Sequence, residues 1–470
     1  MTVTAPEVAA GTASPVHGAP GRDARAALLG TALGVAVLAQ GAFYAGPFTV
    51  VAALVAGAGL VALLLRAAAP RPVSVAAACW AGFALWVLIR GLLDGAVADA
   101  VPSAAVALLL AVALPAAAGL AAEGRRLLQV VALALAVAVA GIGWFGTALH
   151  LSPLSMPSSG LWRAASSITY ANAAGAVLVT GLLLALVASP TSRPLLRRAV
   201  VAALLLGLAV TMSRGAVLAL AVGLAVLLAT AAGRRSVRGL LPVLPAVALS
   251  CAGLLPSMPD GSVPRPLLAL AGLAAGAAVL LATSRRRRAA GGAGVGAALL
   301  GLLDLVTGPL DGTAPAGAVE AIAQTRLTGA SADRVDLARA TLADFADAPV
   351  TGVGPGLLDL TYVDHAGRLV HAWFTHLEYL QVAAETGLVG LALVLAGAAA
   401  LIAGALRTRT VRGLPLSAVG AVAVLAAFAT HSALDFLWHV PALPLLVCLS
   451  VATLLPAPAR TDTDTKEHAR

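Results

Sequence analysis

Charged residues are scarce in this chain: they make up 11% of its 470 residues, whereas hydrophobic residues make up 60%. An ordinary soluble domain carries about 25% charged residues, so this composition excludes one. Apolar runs of about 20 residues recur along the chain, and that length crosses the hydrocarbon core of a bilayer. The runs do not alternate apolar and polar residues, as the strands of a membrane β-barrel do. We therefore predict a polytopic helical membrane protein.

Cysteine is also rare, and Cys79, Cys251 and Cys448 all lie inside apolar runs. This placement excludes a disulfide framework and a reactive thiolate, and it is typical of small buried side chains. Lysine is almost absent, because Lys466 is the only one, so the net charge of +9 comes from arginine. That charge could indicate binding to nucleic acid, but most of the arginines flank apolar runs. There they indicate membrane topology, since positively charged loops stay on the cytoplasmic side.

The apolar runs predict about fourteen membrane spans. Their approximate ranges are 25–44, 47–65, 73–92, 101–121, 127–148, 171–189, 198–212, 215–232, 239–256, 265–283, 290–308, 387–405, 413–431 and 440–456. With the N-terminus inside, the short inner loops hold arginine clusters. These are Arg66 and Arg71; Arg125 and Arg126; Arg193, Arg197 and Arg198; Arg234, Arg235 and Arg238; Arg285 through Arg288; and Arg407, Arg409 and Arg412. The asymmetry predicts cytoplasmic tails at 1–24 and 457–470.

The longest polar segment, residues 309–386, is predicted to lie outside. Within it, Ser331 can cap a helix whose apolar residues recur at helical spacing and which ends at the following proline. The sequence GVGPG at 352–356 predicts a tight turn. A second short helix is predicted over 376–385, and Gly387 allows a bend from that helix into the next span.

Two single residues carry possible chemistry. His376 can act as a general base, because an imidazole that titrates near neutral pH can take a proton from a hydroxyl. A lone histidine is, however, more often a structural hydrogen-bonding group. Arg214, between two apolar runs, fits a phosphate clamp, since a guanidinium binds two phosphate oxygens at once. An interfacial arginine whose side chain reaches the lipid headgroups fits equally well.

Arg163, Tyr170 and Asn172 form a polar group at the outer entrance of one predicted span. They could form a wall of a pocket for lipid phosphate. The alternative is an ordinary polar helix end, with Tyr170 in the aromatic belt at the membrane surface.

Histidines and acidic residues raise the question of a metal. His431, Asp435 and His439 recur every four residues on one helical face, which suits a proton relay, a metal site or the polar lining of a cavity. In the outer segment a second candidate group consists of Asp364, His365, His371 and His376. Their spacing matches no zinc pattern, so we predict no metal site.

Five short motifs follow one another between about residues 160 and 450. They are SITYANAAG at 167–175, MSRGA at 212–216, the block from Arg334 to GVGPG at 356, HLEYLQVAAETGLVG at 376–390, and HSALDFLWHVPA at 431–442. In this order they resemble the O-antigen ligase and polymerase family of bacterial membrane glycosyltransferases. The ordered set is more specific than any one motif.

The resemblance implies an all-α, GT-C-like membrane domain over 161–456, preceded by an N-terminal transmembrane region over 25–160. It implies a glycan donor on polyprenyl pyrophosphate, such as undecaprenyl pyrophosphate, and an acceptor hydroxyl on a glycan, lipid or protein. The reaction would occur on the outer face of the cytoplasmic membrane, with no cofactor or metal and no nucleic-acid partner.

In such a reaction His376 is the expected base, with His371 as the competing candidate. The residues expected to bind the donor pyrophosphate are Arg214, Arg163 and Arg334. Supporting residues are Glu378, Tyr170, Asn172, His371, His431, Asp435 and His439. Leu377 stands where the family often has asparagine, so the group that orients His376 is expected to be Glu378 or a residue of the 431–439 face.

Two other classes remain compatible with the sequence. A transporter of a lipid-linked oligosaccharide or of a small anion would place its polar residues near the membrane midplane, on broken helices. A non-catalytic scaffold of an envelope assembly would have no reason to gather arginines and histidines around one outer pocket.

Overall fold

Helices dominate the structure, a computed structural model that describes residues 20–188, 193–285, 332–358, 360–363, 367–372, 374–410 and 413–455. In chain order the helices are α1 Pro20–Leu38, α2 Ala45–Leu64, α3 Arg71–Leu93, α4 Val97–Ala118, α5 Ala122–Leu149, α6 Ala171–Val187, α7 Pro194–Thr211, α8 Arg214–Leu228, α9 Ala231–Val237, α10 Leu244–Leu254, α11 Pro266–Arg285, α12 Ala332–Asp347, α13 Glu378–Leu406, α14 Leu416–Ser432 and α15 Ala442–Leu454. This architecture confirms the predicted helical membrane protein.

The apolar helices correspond closely to the predicted spans. Within the described ranges, 8 helical runs are long and apolar enough to cross a membrane, and shorter apolar helices of 10–17 residues lie among them. Each predicted span apart from 290–308 overlaps one of these helices, and 290–308 lies outside the described residues. The chain is therefore a multi-pass membrane protein.

Two small β-hairpins depart from the all-helical prediction. Strand β1, Ser155–Ser158, pairs antiparallel with β2, Leu161–Ala164. Strand β3, Thr361–Val363, pairs in the same way with β4, Leu369–His371. Strands of three or four residues are too short to show a period of two in the sequence, which explains why they were not predicted.

Helix α13 begins later than predicted, at Glu378 instead of residue 376, and it continues to Leu406. The predicted bend is confirmed at Gly387, whose φ of 67° interrupts the helix. A Cβ at Gly387 would lie 2.1 Å from the carbonyl oxygen of Val350, so a side chain there would collide with the segment that follows α12. The break therefore lets that segment dock directly on α13.

Below the break, α13 packs closely against α3. Its contact face contains Gly390, Gly397 and Gly404, which recur every seven residues. A Cβ at Gly404 would lie 2.7 Å from the Cβ of Pro72, and one at Gly397 would lie 3.4 Å from the Cβ of Cys79. Small residues let membrane helices approach in this way, where packing replaces the hydrophobic effect as the source of stability. This contact sets the position of the polar N-terminal end of α13 along the bundle.

One end of the bundle is closed by buried arginines. Arg125, at the start of α5, donates from Nε to the Leu120 carbonyl at 3.0 Å, and it also donates to the carbonyls of Ala118 and Leu455. Arg25 donates to the Gly119 carbonyl at 3.1 Å. These bonds satisfy carbonyls left open where α4 and α15 end. This is the end predicted to be cytoplasmic, and the polar start of α13 lies at the other.

Labelling tests the predicted sidedness. Arg235→Cys and Leu369→Cys, each made in a chain whose three native cysteines are replaced by alanine, put thiols at two exposed positions. In intact cells a membrane-impermeant maleimide should label only the Leu369→Cys variant, and permeabilised cells should label both. The reason is that arginine-rich loops stay inside. Equal labelling of both variants in intact cells would contradict the predicted topology.

Candidate active site

His376 lies in the loop just before α13, and its side chain is 32% exposed. Its Nδ1 is 3.0 Å from Oδ1 of Asp435, whose side chain is only 1% exposed. Asp435 lies between α14 and the short 3₁₀ turn Leu437–His439. Two segments that are 59 residues apart in sequence thus meet to form a histidine–carboxylate pair.

The Asp435 carboxylate has a full set of donors. The Tyr170 hydroxyl lies 2.7 and 2.8 Å from its two oxygens, the Asn172 amide donates to Oδ2, and the backbone N–H of Phe436 donates to Oδ1 at 3.0 Å. Burial raises the pKa of Asp435, but the hydrogen bond and positive charge of His376, with the bonds from Tyr170 and Asn172, outweigh burial and hold that pKa below its usual value. Asp435 is therefore an ionised acceptor.

The charge of Asp435 determines how the His376 ring is protonated. An ionised carboxylate only accepts hydrogen bonds, so the ring nitrogen facing it, Nδ1, must carry the proton. In the neutral ring Nε2 is then the basic nitrogen. The same logic operates in serine hydrolase triads, where an aspartate fixes the tautomer of the catalytic histidine. The pair can therefore accept a proton from a hydroxyl that approaches Nε2.

Two arginines extend this centre. Arg163, on strand β2, donates from Nη2 to the Asn172 side-chain oxygen at 2.8 Å and from Nε to the Thr211 carbonyl at 2.9 Å. Arg334, on α12, donates from Nη1 to the carbonyl of Leu434 at 2.9 Å. Each arginine thus bonds to a residue next to or touching Asp435. The structure therefore places both arginines around Asp435.

Arg214 lies at the same end of the bundle, on a different helix. It is the first residue of α8, it is exposed, and Ser213 caps the helix by accepting from the Ala216 N–H at 3.3 Å. A Cβ at the next residue, Gly215, would lie 2.8 Å from Cδ2 of His431. His431 is 1% exposed, and neither of its ring nitrogens has a hydrogen-bond partner among the described residues. Arg214 therefore borders the polar centre through the contact between Gly215 and His431.

Glu378 belongs to a second pair. Its Oε1 lies 3.4 Å from Nδ1 of His439, and its Oε2 accepts from the Trp438 backbone N–H at 3.1 Å. Burial lowers the pKa of His439, but the negative charge of Glu378, with a contribution from Glu385, raises it by more. Of the two orienting groups that the sequence left open, the structure brings Asp435 of the 431–439 segment to His376, and Glu378 bonds elsewhere. The prediction that this segment is one helical face is wrong, because α14 ends at Ser432 and Asp435 lies in the turn after it.

His371 lies outside this network. It is an exposed residue of strand β4, and its Nδ1 is 3.0 Å from the Thr361 hydroxyl across the hairpin. Two neighbours that the sequence analysis weighed as metal ligands, Asp364 and His365, lie outside the described residues. In the part of the chain that is described, no three histidine, cysteine or acidic side chains are grouped to hold a metal ion.

Aromatic rings form one side of the site, and of these the sequence pointed only to Tyr170. Phe436 stacks between Tyr170, at 5.1 Å between ring centroids, and Phe374, at 4.6 Å. The His376 ring meets the edge of this stack, with its centroid 4.8 Å from that of Phe436. For Phe436 the only sequence signal was its position beside Asp435. The stack limits where the imidazole can lie.

Sequence similarity relates part of this chain to a known family. No curated protein matches the chain. Residues 265–395, however, match the family model described as O-antigen ligase. The matched segment contains Arg334, the glycine turn at 352–356 and His376. Over these residues the match confirms the resemblance to the O-antigen ligase family that the motifs indicated.

Proposed function

We propose that the protein transfers a glycan from polyprenyl pyrophosphate, such as undecaprenyl pyrophosphate, to an acceptor hydroxyl on the outer face of the cytoplasmic membrane. The observation that carries the proposal is the His376–Asp435 pair: a partly exposed imidazole lies 3.0 Å from a buried carboxylate, and residues touching or next to that carboxylate accept hydrogen bonds from Arg163 and Arg334. A hydroxyl is a poor nucleophile until a base removes its proton, and this pair supplies the base.

The reaction needs few groups. Nε2 of His376 takes the proton of the acceptor hydroxyl while its oxygen bonds to the anomeric carbon of the donor sugar. The bond from that carbon to the pyrophosphate oxygen breaks, and the carrier leaves as the pyrophosphate anion. Attack opposite the leaving group inverts the anomeric centre. The proton on His376 then passes to solvent, which restores the base.

The leaving pyrophosphate is a stable anion that needs positive charge more than it needs a proton. We assign that charge to Arg214, Arg334 and Arg163, without a metal ion. Arg214 is best placed for direct contact, because it is exposed at the N-terminus of α8, where the helix dipole also favours an anion. Arg163 and Arg334 already donate to groups around Asp435, so they add charge to the wall behind it.

The arginines at the opposite end of the bundle support an outer position for the site. A bundle of about fourteen spans in a GT-C-like arrangement, with both termini cytoplasmic, would put His376 at the outer surface. A carrier lipid could then keep its chain in the bilayer and present its pyrophosphate there.

A transporter is the competing function, and the break in α13 at Gly387 is the feature that favours it. The two functions differ in whether the lipid-linked glycan is chemically changed. A transferase releases free polyprenyl pyrophosphate in detergent without ATP or an ion gradient, whereas a transporter in detergent leaves its cargo chemically unchanged. For this assay, both the accumulated donor and the unmodified envelope acceptor can be isolated from cells that lack the protein.

In that detergent assay, His376→Ala should release carrier pyrophosphate at least about a hundredfold more slowly than the unaltered protein, since positioned acid–base catalysis typically contributes 10²–10⁴-fold. His376→Gln should be nearly as slow, because an amide forms a hydrogen bond but cannot take the proton. Donor binding, measured by retention of the labelled lipid on the purified protein, should be unchanged in both variants.

His371→Ala is the matched control, since it removes a histidine of the same segment that bonds to Thr361. It should turn over normally. An inactive His371→Ala variant beside an active His376→Ala variant would move the base to residue 371, and normal turnover of both would rule out a histidine of this segment as the base.

Arg214→Lys tests the proposed pyrophosphate contact. Lysine keeps the charge but loses the two-pronged geometry of guanidinium, so we expect turnover to fall at least about tenfold. Arg214→Ala should lose at least as much. Arg235→Lys, an exposed arginine of the predicted inner side, is the control and should behave as the unaltered protein. Full activity of Arg214→Lys would show that Arg214 is an interfacial arginine without a role in the reaction.

A further inference from the structure

The backbone of His376 has an unusual conformation. Its φ of 56° lies in the left-handed region, and the residue after it, Leu377, is extended with a φ of −142°. The sequence predicts a regular helix from residue 376. In such a helix the His376 side chain would leave the backbone in a different direction from the one observed. Something must hold this residue out of the helix.

The Thr375 hydroxyl is the nearest such group. Thr375 is fully buried, and its Oγ accepts from the N–H of Leu377 and donates to the carbonyl of Leu377, both at 3.1 Å. A single hydroxyl therefore bonds to both backbone groups of the residue after His376. These bonds close a tight turn in which His376 is the only residue between the bonded partners.

Gln381 fixes Thr375 in turn. The Gln381 side chain is buried, and its Oε1 accepts from the backbone N–H of Thr375 at 3.2 Å. Its Nε2 donates to Oε1 of Glu385 at 3.0 Å, so both ends of the amide are bound. The turn at His376 is thereby tied to the first turns of α13.

The glycine turn completes the support. The Gly354 N–H donates to the Glu385 carbonyl at 3.1 Å. A Cβ at Gly352 would lie 2.3 Å from the same carbonyl oxygen. The turn at 352–356 therefore packs directly on the residue that receives the Gln381 amide, and the chain of contacts runs from this turn to the base.

We propose that Thr375 and Gln381 are positioning residues that hold His376 in its left-handed conformation and so align its ring between Asp435 and the acceptor hydroxyl. This inference rests on the proposed function, because it assumes that His376 is the base. Neither residue touches the reacting atoms. A catalytic side chain loses much of its effect when it is displaced by a small distance. The hydrogen bonds of Thr375 and Gln381 are needed because they prevent such a displacement of His376.

Thr375→Val and Thr375→Ser form the matched test pair. Valine keeps the shape but removes the hydroxyl, whereas serine keeps the hydroxyl. In the donor assay Thr375→Val should lower kcat about tenfold to a hundredfold, with the donor KM within about threefold of the unaltered value. Thr375→Ser should retain kcat within about threefold. Gln381→Met, which removes the amide at similar length, should resemble Thr375→Val.

A double-variant measurement separates positioning from general structure. In the His376→Ala background, adding Thr375→Val should cause no further loss of the residual rate, because the threonine acts only through the histidine. A further loss of the same size in that background would overturn the proposal in favour of a structural role. Unchanged kcat in both Thr375→Val and Gln381→Met would also overturn it.

The outcomes also distinguish this inference from the proposed function. A slow His376→Ala variant together with fully active Thr375→Val and Gln381→Met variants would remove only the positioning role. Normal turnover by His376→Ala would remove the base itself and the positioning role with it.

Discussion

The hydrogen bond between His376 and Asp435 is the contact on which the site depends. A buried carboxylate is costly unless it is fully hydrogen-bonded, and Asp435 meets that condition through Tyr170, Asn172 and its own following N–H. The same donors keep it ionised, and an ionised Asp435 fixes which nitrogen of His376 carries the proton. The electrostatics of one carboxylate thus determine the chemistry of an imidazole from a distant part of the chain.

The bundle brings these partners together by close packing instead of by charge. The glycine face of α13 approaches α3, and the break at Gly387 accepts the segment after α12. Gly215 allows α8 to meet the His431 ring. Each approach depends on a missing side chain, so close backbone contacts set the positions of Arg214, His376 and the glycine turn.

A second histidine–carboxylate pair, Glu378 with His439, joins the same two segments, with the positions of the acid and the histidine exchanged. In one pair the histidine lies before α13 and the acid follows α14; in the other the acid begins α13 and the histidine follows α14. The two pairs bind the start of α13 to the turn before α15 at two points. The base of the first pair is the more exposed of the two, with His376 at 32% and His439 at 22%, and Arg163 and Arg334 bond to residues touching or next to its acid. We therefore assign the base to the first pair.

Much of this was predictable from the sequence, because long apolar runs and arginine asymmetry determine membrane helices locally. The bend at Gly387, the glycine turn and the cluster of arginines and histidines at one end also follow from residue types. For the partner of His376 the sequence left two alternatives, Glu378 and the residues 431–439, and it could not choose between them, because a contact over 59 residues leaves no local pattern. The helix start at 378 was missed because Thr375 and Gln381 override the helical pattern through buried side-chain bonds that no periodicity reveals.

Asp435→Asn provides the most direct measurement of the central claim. An asparagine fills the same space, but its amide can donate to Nδ1 and so favour the tautomer whose proton lies on Nε2, where it cannot act as a base. The account predicts that the release of carrier pyrophosphate slows at least about a hundredfold, although His376 is intact and the labelled donor still binds. Asp336→Asn, an acid of α12 paired with Arg339, serves as the control. Turnover of Asp435→Asn equal to that of the unaltered protein would contradict the account.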